Sequence, residues 1–292
     1  MAGTADRRQG NTMKKYMIRC DIEGVTGVVS PEQAAPNGSE FEFGRRMFMS
    51  DITALVDGLN AGGADEIWIY DEHYYGRNID LSVMPKNVFC VCGKPPYRAD
   101  WAGGLDASFN GLILLGFHSK WGTPGGLLPH SYEHDIRDIV LNGVSVGEIG
   151  MEAAIAGDFD VPLLLMVGDS AGVAEAEKLI PHVTGVSVKT SIGENGAICF
   201  SAQETSARIA AAAKAIVKTP PRAKPYRITE EIYCAITLND GTYHDAFRSL
   251  FAARMSDDRT VVLRGNAVTS VWAEYWQMKL SAQVLAQAKV KG

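Results

Sequence analysis

Gly111-Leu112-Ile113-Leu114-Leu115-Gly116-Phe117 is a run of seven residues without a polar side chain. Glu66 to Asp71 and Val161 to Val167 are nearly as apolar. Runs this short and this uniform do not alternate, so they suit strands covered on both faces, as in a parallel sheet flanked by helices. The segments between them have helical spacing. Phe43, Met47, Ile52, Leu55, Val56 and Leu59 recur along 41–59, and Gly62-Gly63 ends the pattern. Strands alternating with helices predict an α/β fold, with a largely parallel central sheet flanked by helices.

Punctuation divides the chain further. The segment 1–15 is polar and reads as a flexible tail without the apolar core of a leader, with Met13 as an alternative start. Residues 16–219 carry strand and helix patterns in turn and form the main α/β domain. Asn142-Gly143 after an apolar run from Ile136 to Leu141 predicts a hairpin. Ser30 to Ser39 predicts a loop. The segment Pro220-Pro221-Arg222-Ala223-Lys224-Pro225 reads as a stiff linker. Beyond it, 226–292 has two strand patterns and two helix patterns, which predict a smaller C-terminal α/β subdomain.

Composition closes off several functions. The net charge of -6 argues against nucleic-acid binding. With 46% hydrophobic and 21% charged residues the chain is globular, and no run reaches the length of about 18 apolar residues that spans a membrane. Cysteines 20, 90, 92, 199 and 234 lack zinc-finger spacing and read as reduced, mostly buried thiols of a cytoplasmic protein.

The chemistry gathers where strands end. Tyr16 to Ile22 reads as a strand running into Asp21 and Glu23, and two residues apart on a strand share a face. Adjacent carboxylates repel unless a cation lies between them. Asp71-Glu72-His73 follows the second strand and His118 follows the run 111–117. Parallel strands bring those ends to one edge, where ligands bind. Glu148 stands between glycines at the start of an alanine-rich helix. Carboxylate and imidazole are ligands for borderline divalent metals such as zinc, and five such side chains can hold a pair of ions about 3.5–4 Å apart.

Each residue also has a plainer reading: His73 as a surface histidine, His118 as a core histidine, Glu148 as an acid at a helix start. His182 and His244 lack acidic or glycine-rich context and read as structural. His130 and His134 follow a Gly/Pro-rich loop, and either could supply an acid–base group. Gly122 to Gly126 lacks the lysine and hydroxyl of a phosphate loop, and Gly168-Asp169-Ser170 lacks the frame of a nucleophile elbow.

The ordered set resembles the zinc D-aminopeptidases. The residues that carry the likeness are Asp21-Ile22-Glu23-Gly24-Val25-Thr26-Gly27, Phe43-Gly44-Arg45-Arg46 with Met49, Asp71-Glu72-His73, Leu115-Gly116-Phe117-His118, Thr123-Pro124-Gly125, His130-Ser131, and Asn142-Gly143 through Val146-Gly147-Glu148. The resemblance implies two zinc ions, with Asp21 bridging them and Glu23, His73, His118 and Glu148 completing the site. It implies His130 as the catalytic histidine, removal of N-terminal residues from short peptides, and a homo-oligomer, a decamer of stacked rings. Two departures stand out. Glu72 replaces the family's serine, and His118 to His130 spans 12 positions (130 − 118), one more than the family pattern, which keeps His134 in play.

Rival functions follow from the same residues. A dinuclear phosphoesterase or amidase would use the same metals, and the former needs cations for phosphate, for which only Arg45, Arg46, Arg77 and Lys120 stand near the ligands in sequence. A non-catalytic assembly protein could keep a metal for stability, although structural zinc is normally closed by four N/S ligands. Preference between D- and L-residues is set by pocket shape and is not written in these motifs.

Overall fold

We describe the fold from a computed structural model, in which residues 13–291 are described. The tail expected over 1–15 falls outside the described residues for 1–12, and β1 (Lys15–Cys20) starts at its last position. The chain continues through α1 (Pro31–Ala34), α2 (Phe41–Gly62), β2 (Glu66–Asp71), β3 (Val88–Val91), β4 (Gly111–Phe117), β5 (Ile136–Leu141) and β6 (Val144–Val146). Next come α3 (Glu148–Asp158), β7 (Leu163–Asp169), α4 (Ser170–Leu179), β8 (Thr184–Gly193), β9 (Gly196–Cys199) and α5 (Ala202–Lys218). Last are β10 (Ile232–Leu238), α6 (Thr242–Phe251), β11 (Thr260–Gly265) and α7 (Val268–Lys291).

Seven strands form the central sheet in the order β3-β2-β1-β4-β7-β8-β9, parallel except for the β8–β9 hairpin. All seven residues of β4 are buried, as its unbroken apolar sequence requires, and so are all of β7, which is apolar up to its last residue, Asp169. Strand order reverses between β1 and β4: the chain moves outward to β3, then returns to continue from β4. Crevices that bind ligands form at such a switch point, outside the carboxyl ends of the strands. The register aligns those ends, since Cys20 pairs with Asp71 on one side and Leu115 on the other. Asp21, His73 and His118 therefore leave the sheet side by side.

A close approach tightens the switch point. The Gly24 N–H donates to the carbonyl of Gly116 at 2.6 Å. Gly116 has φ of 78°, and a Cβ there would lie 1.9 Å from the carbonyl oxygen of Asp21. Only glycine holds that conformation at that separation.

Helices α2 and α5 cover one face through Phe48, Ile52, Leu55, Ile209 and Ala213. Helices α3 and α4 cover the other through Ile149, Ala153, Val173 and Ala176. The second sheet, β11-β10-β5-β6, packs against α3, α6 and α7. The small α/β unit expected over 226–292 supplies β10, β11, α6 and α7, and β5 and β6 from upstream of the linker extend its sheet. Helix α3 thus lies between two layers, and ten of its residues, 148–157, are buried. That burial accounts for its alanine and glycine content.

The Asn142-Gly143 hairpin forms, with φ of 47° and 83° at its two centre residues, as a type I′ turn demands. The loop expected over 30–39 contains a short helix, α1, started by Pro31. β1 ends at Cys20, two residues earlier than expected. Among the cysteines, all free thiols, only Cys20 and Cys234 are buried; Cys90 is half-buried and Cys92 and Cys199 are exposed, so the expectation of mostly buried thiols is corrected. No helix among the described residues is long and apolar enough to cross a membrane.

Candidate metal centre

The six residues singled out from the sequence come together at the switch point. Asp21 and Glu23 occupy the turn after β1, His73 the turn after β2, His118 the residue after β4, and Glu148 the first turn of α3. His130 enters from the loop before β5. Asp21, Glu23, His73, His118 and Glu148 are all buried. Ligand atoms of Asp21, Glu23 and His73 lie within 4.8 Å of one another, and so do those of His118, His130 and Glu148.

Asp21 joins the two groups. Its Oδ1 is 2.7 Å from His73 Nδ1 and its Oδ2 is 3.5 Å from His118 Nε2. His118 Nε2 is also 3.4 Å from Glu148 Oε1, and His130 Nε2 is 3.9 Å from that same oxygen. Glu23 Oε2 is 3.1 Å from His73 Nδ1.

The distal nitrogen of each imidazole is tied to a backbone carbonyl. His73 Nε2 donates to Ala34 at 2.7 Å, His118 Nδ1 to Ser119 at 3.0 Å, and His130 Nδ1 to Leu128 at 3.0 Å. A carbonyl only accepts, so those nitrogens carry protons, and His73 Nδ1, His118 Nε2 and His130 Nε2 are the atoms turned toward the carboxylates. This is how histidine ligands are oriented from behind. Glu23 Oε2 and His118 Nε2 are buried without a hydrogen-bond partner. Carboxylate oxygens and imidazole nitrogens turned toward one another in a buried pocket fit a divalent cation, which would take the place of the imidazole protons.

Electrostatics agree. Burial alone would raise the carboxyl pKa of Asp21, but the His118 and His73 imidazoles beside it outweigh that and hold the group well below the usual carboxylate range. Burial would lower both imidazoles, but Glu23 and Asp21 push His73 well above its ordinary value, and Glu148 and Asp21 do the same to His118. The pocket favours positive charge at both positions. His130 goes the other way: burial, and then the neighbouring His118, lower its pKa, which keeps it a neutral imidazole.

The loop histidines are ordered outward. His130 stacks on His118 with ring centroids 4.0 Å apart, and His134 stacks on His130 at 4.9 Å. Between them, Tyr132 anchors the loop on α3. Its N–H donates to Glu148 Oε1 at 2.6 Å and its hydroxyl to Glu152 Oε1 at 2.7 Å. His182 is exposed, and His244 is buried with Nε2 donating to the Asp258 carbonyl at 2.6 Å.

Several supporting residues escaped the motif reading. Arg19, buried two residues before Asp21, pairs with Glu152 and lies 3.4 Å from Glu72. Glu72, the acid found where the resemblance implies a serine, therefore meets a guanidinium. Lys189, buried in β8, donates to the carbonyls of Glu23, Val25 and Val28 at 2.6, 2.7 and 2.5 Å. Asp51, buried in α2, accepts from the N–H and hydroxyl of Thr26 at 2.9 and 2.8 Å. For Arg19 the only available signal was a charged residue inside an otherwise apolar stretch.

Fold and site together define a class, an α/β protein that gathers carboxylates and imidazoles suited to a divalent cation at the carboxyl edge of its parallel sheet. Residues 13–275 match the model of the D-aminopeptidase family, peptidase family M55. A D-aminopeptidase of Bacillus subtilis (strain 168) is 31% identical over 191 residues, covering 65% of this chain and 68% of the relative. A solved structure, the Zn-dependent D-aminopeptidase DppA from Bacillus subtilis, described as a self-compartmentalizing protease, superimposes with a TM-score of 0.82 at 24% identity, over 94% of this chain and 98% of that one. The chain belongs to the D-aminopeptidase family and is a hydrolase acting on peptide bonds.

Proposed function

We propose that this chain is a dinuclear zinc aminopeptidase that removes N-terminal residues from short peptides, D-residues among them. The observation that carries the reading is Asp21, whose two oxygens face different imidazoles and so sit between two ligand groups. Asp21, Glu23 and His73 would hold one ion, and Asp21, His118 and Glu148 the other. When bound, such ions supply an acidified water and polarise a carbonyl.

The protein's own groups divide the remaining work. Glu23 and Glu148 are committed as ligands, which leaves His130 as acid–base group. Its Nδ1–H is fixed on Leu128, so Nε2 is the atom that takes a proton and returns it to the leaving amine. A neutral imidazole is the form needed to begin that cycle. A cleft of about 330 Å³ opens over Glu23, His130 and His134, walled by Tyr74, Trp121 and Leu128, a size suited to a small ligand. Its lining has no lysine or arginine, which weighs against phosphate esters.

We also propose a closed homo-oligomer, a decamer, by analogy with the self-compartmentalizing relative. The deciding experiment is metal analysis combined with a panel of paired D- and L-dipeptides, with p-nitrophenyl phosphate alongside. Two equivalents of zinc and cleavage of N-terminal residues support the reading. One equivalent or less, or turnover of the phosphate ester alone, overturns it.

A further inference from the structure

Lys279 lies on α7, far in sequence from the catalytic loop, and is wholly buried. Its Nζ is 3.0 Å from Glu133 Oε2 and also pairs with Asp135 Oδ2. It lies 4.3 Å from the ring centroid of Tyr243. Glu133 and Asp135 flank His134, so a single ammonium holds both sides of the outer histidine. Asn239 completes the hold, with its N–H on the Asp135 carbonyl at 2.8 Å and its side-chain amide on the His134 carbonyl at 2.9 Å.

The loop needs such a hold. Leu128 and Tyr132, on either side of His130, have φ of 48° and 58°, and neither is glycine. Backbone of that kind costs about 1–3 kcal/mol per residue and persists only where the surroundings impose it. A buried lysine is itself a poor way to fill space, because a well-packed apolar residue of similar volume often serves stability as well or better. Two carboxylates compensate its desolvation here, and both belong to the loop that carries the histidines.

We propose that Lys279 is a positioning residue for the His130–His134 pair: its clamp on Glu133 and Asp135 fixes the loop that stacks His130 on His118. The proposal rests on the peptidase reading for its kinetic consequence, but not for its structural one. The ammonium stands between Glu133 Oε2 and Asp135 Oδ2, so removing it leaves two carboxylates facing each other with nothing between them. The loop then shifts and His130 leaves its stacked place.

The test uses full-length Lys279→Met, Lys279→Arg and Glu133→Gln. Lys279→Met keeps its metal and its KM within about threefold while kcat falls about 10–100-fold, the scale of a displacement near 1 Å. Lys279→Arg recovers part of that loss because it keeps the charge. Glu133 is a third exposed, so Glu133→Gln does not endanger folding and decides the matter if Lys279→Met does not fold; its kcat falls about three- to tenfold. Ring signals of His130 and His134 in histidine-labelled protein move in both variants while that of His182 stays. These signals need no turnover, so an inactive wild type would remove the peptidase reading and leave the clamp testable. Unmoved ring signals together with wild-type kcat in folded Glu133→Gln or Lys279→Met overturn the proposal. So does loss of metal in proportion to activity.

Discussion

The two halves of the site are held by buried lysines in opposite ways. In the ligand half, Lys189 grips three backbone carbonyls of the turn after β1, and Asp51 ties down Thr26 in the same turn. In the loop half, Lys279 grips two carboxylate side chains. Carbonyls belong to every residue, so the first hold fixes the course of the chain whatever side chains it carries. The second hold depends on Glu133 and Asp135 being acids. The ligand half is therefore a rigid seat, and the loop half is adjustable by sequence. The expectation is that the first half fails by losing metal and the second by losing rate.

The sharpest break of that contrast is Asp21→Ala. A carboxylate that faces His73 with one oxygen and His118 with the other serves both ligand groups, so its removal strips more metal than any other single change. Elemental analysis of the purified variant should show far less than half the wild-type zinc. Wild-type metal content in Asp21→Ala would mean the cation sits elsewhere.

His130→Ala separates the halves from the other side. It should keep its metal and its oligomeric state but lose about 10²–10⁴-fold in turnover, the contribution typical of a positioned acid–base group. His134 stacks one place further out, so His134→Ala should cost much less. If the order of the two is reversed with metal content intact in each, His134 is the acid–base group and the extra residue between His118 and His130 has changed the register.

Lys189→Met is the counterpart of Lys279→Met. Burial pushes its ammonium down to about 8, so it stays charged at neutral pH and keeps all three carbonyls. Without it the turn carrying Glu23 loosens, and zinc affinity, measured by competition with a chelator, should fall about tenfold, as for other residues behind metal ligands. Rate at saturating zinc should fall less than in Lys279→Met. Equal effects of the two lysines on both quantities would erase the distinction between seat and loop.

What was legible in the sequence follows the same division. The sheet could be read because burial on both faces forces uniform apolar runs at β4 and β7, and the ligand half because strand ends converge in any parallel sheet. Helix α1 was missed because four residues carry no period. The second sheet joins β5 and β6 to β10 and β11 across about 90 residues, and nothing local encodes that pairing. Arg19, Lys189 and Lys279 were visible as charges, but a lone charge does not name its partner. The choice between His130 and His134 depends on how the loop folds back over α3, which the Tyr132 bonds to Glu148 and Glu152 determine.

The smallest expected effect tests the departure at Glu72. An added acid beside His73 would be costly if unpaired, because burial raises its pKa. Arg19 offsets that, with Nη1 at 3.4 Å from Glu72 Oε1. Arg19 does not depend on this partner, since it also pairs with Glu152 and donates to the Ala102 carbonyl at 2.6 Å. Glu72→Ser, the residue that the family resemblance implies at this position, should therefore leave the guanidinium satisfied. The loss of one partly buried pair is about 1 kcal/mol, which corresponds to a fall in Tm of about 2–4 °C for a chain of this size. Metal content and kcat should stay within about twofold of wild type, because Glu72 faces Arg19 rather than the ligand atoms. A drop in bound zinc in Glu72→Ser would instead make Glu72 part of the seat, and would move the boundary between the two halves.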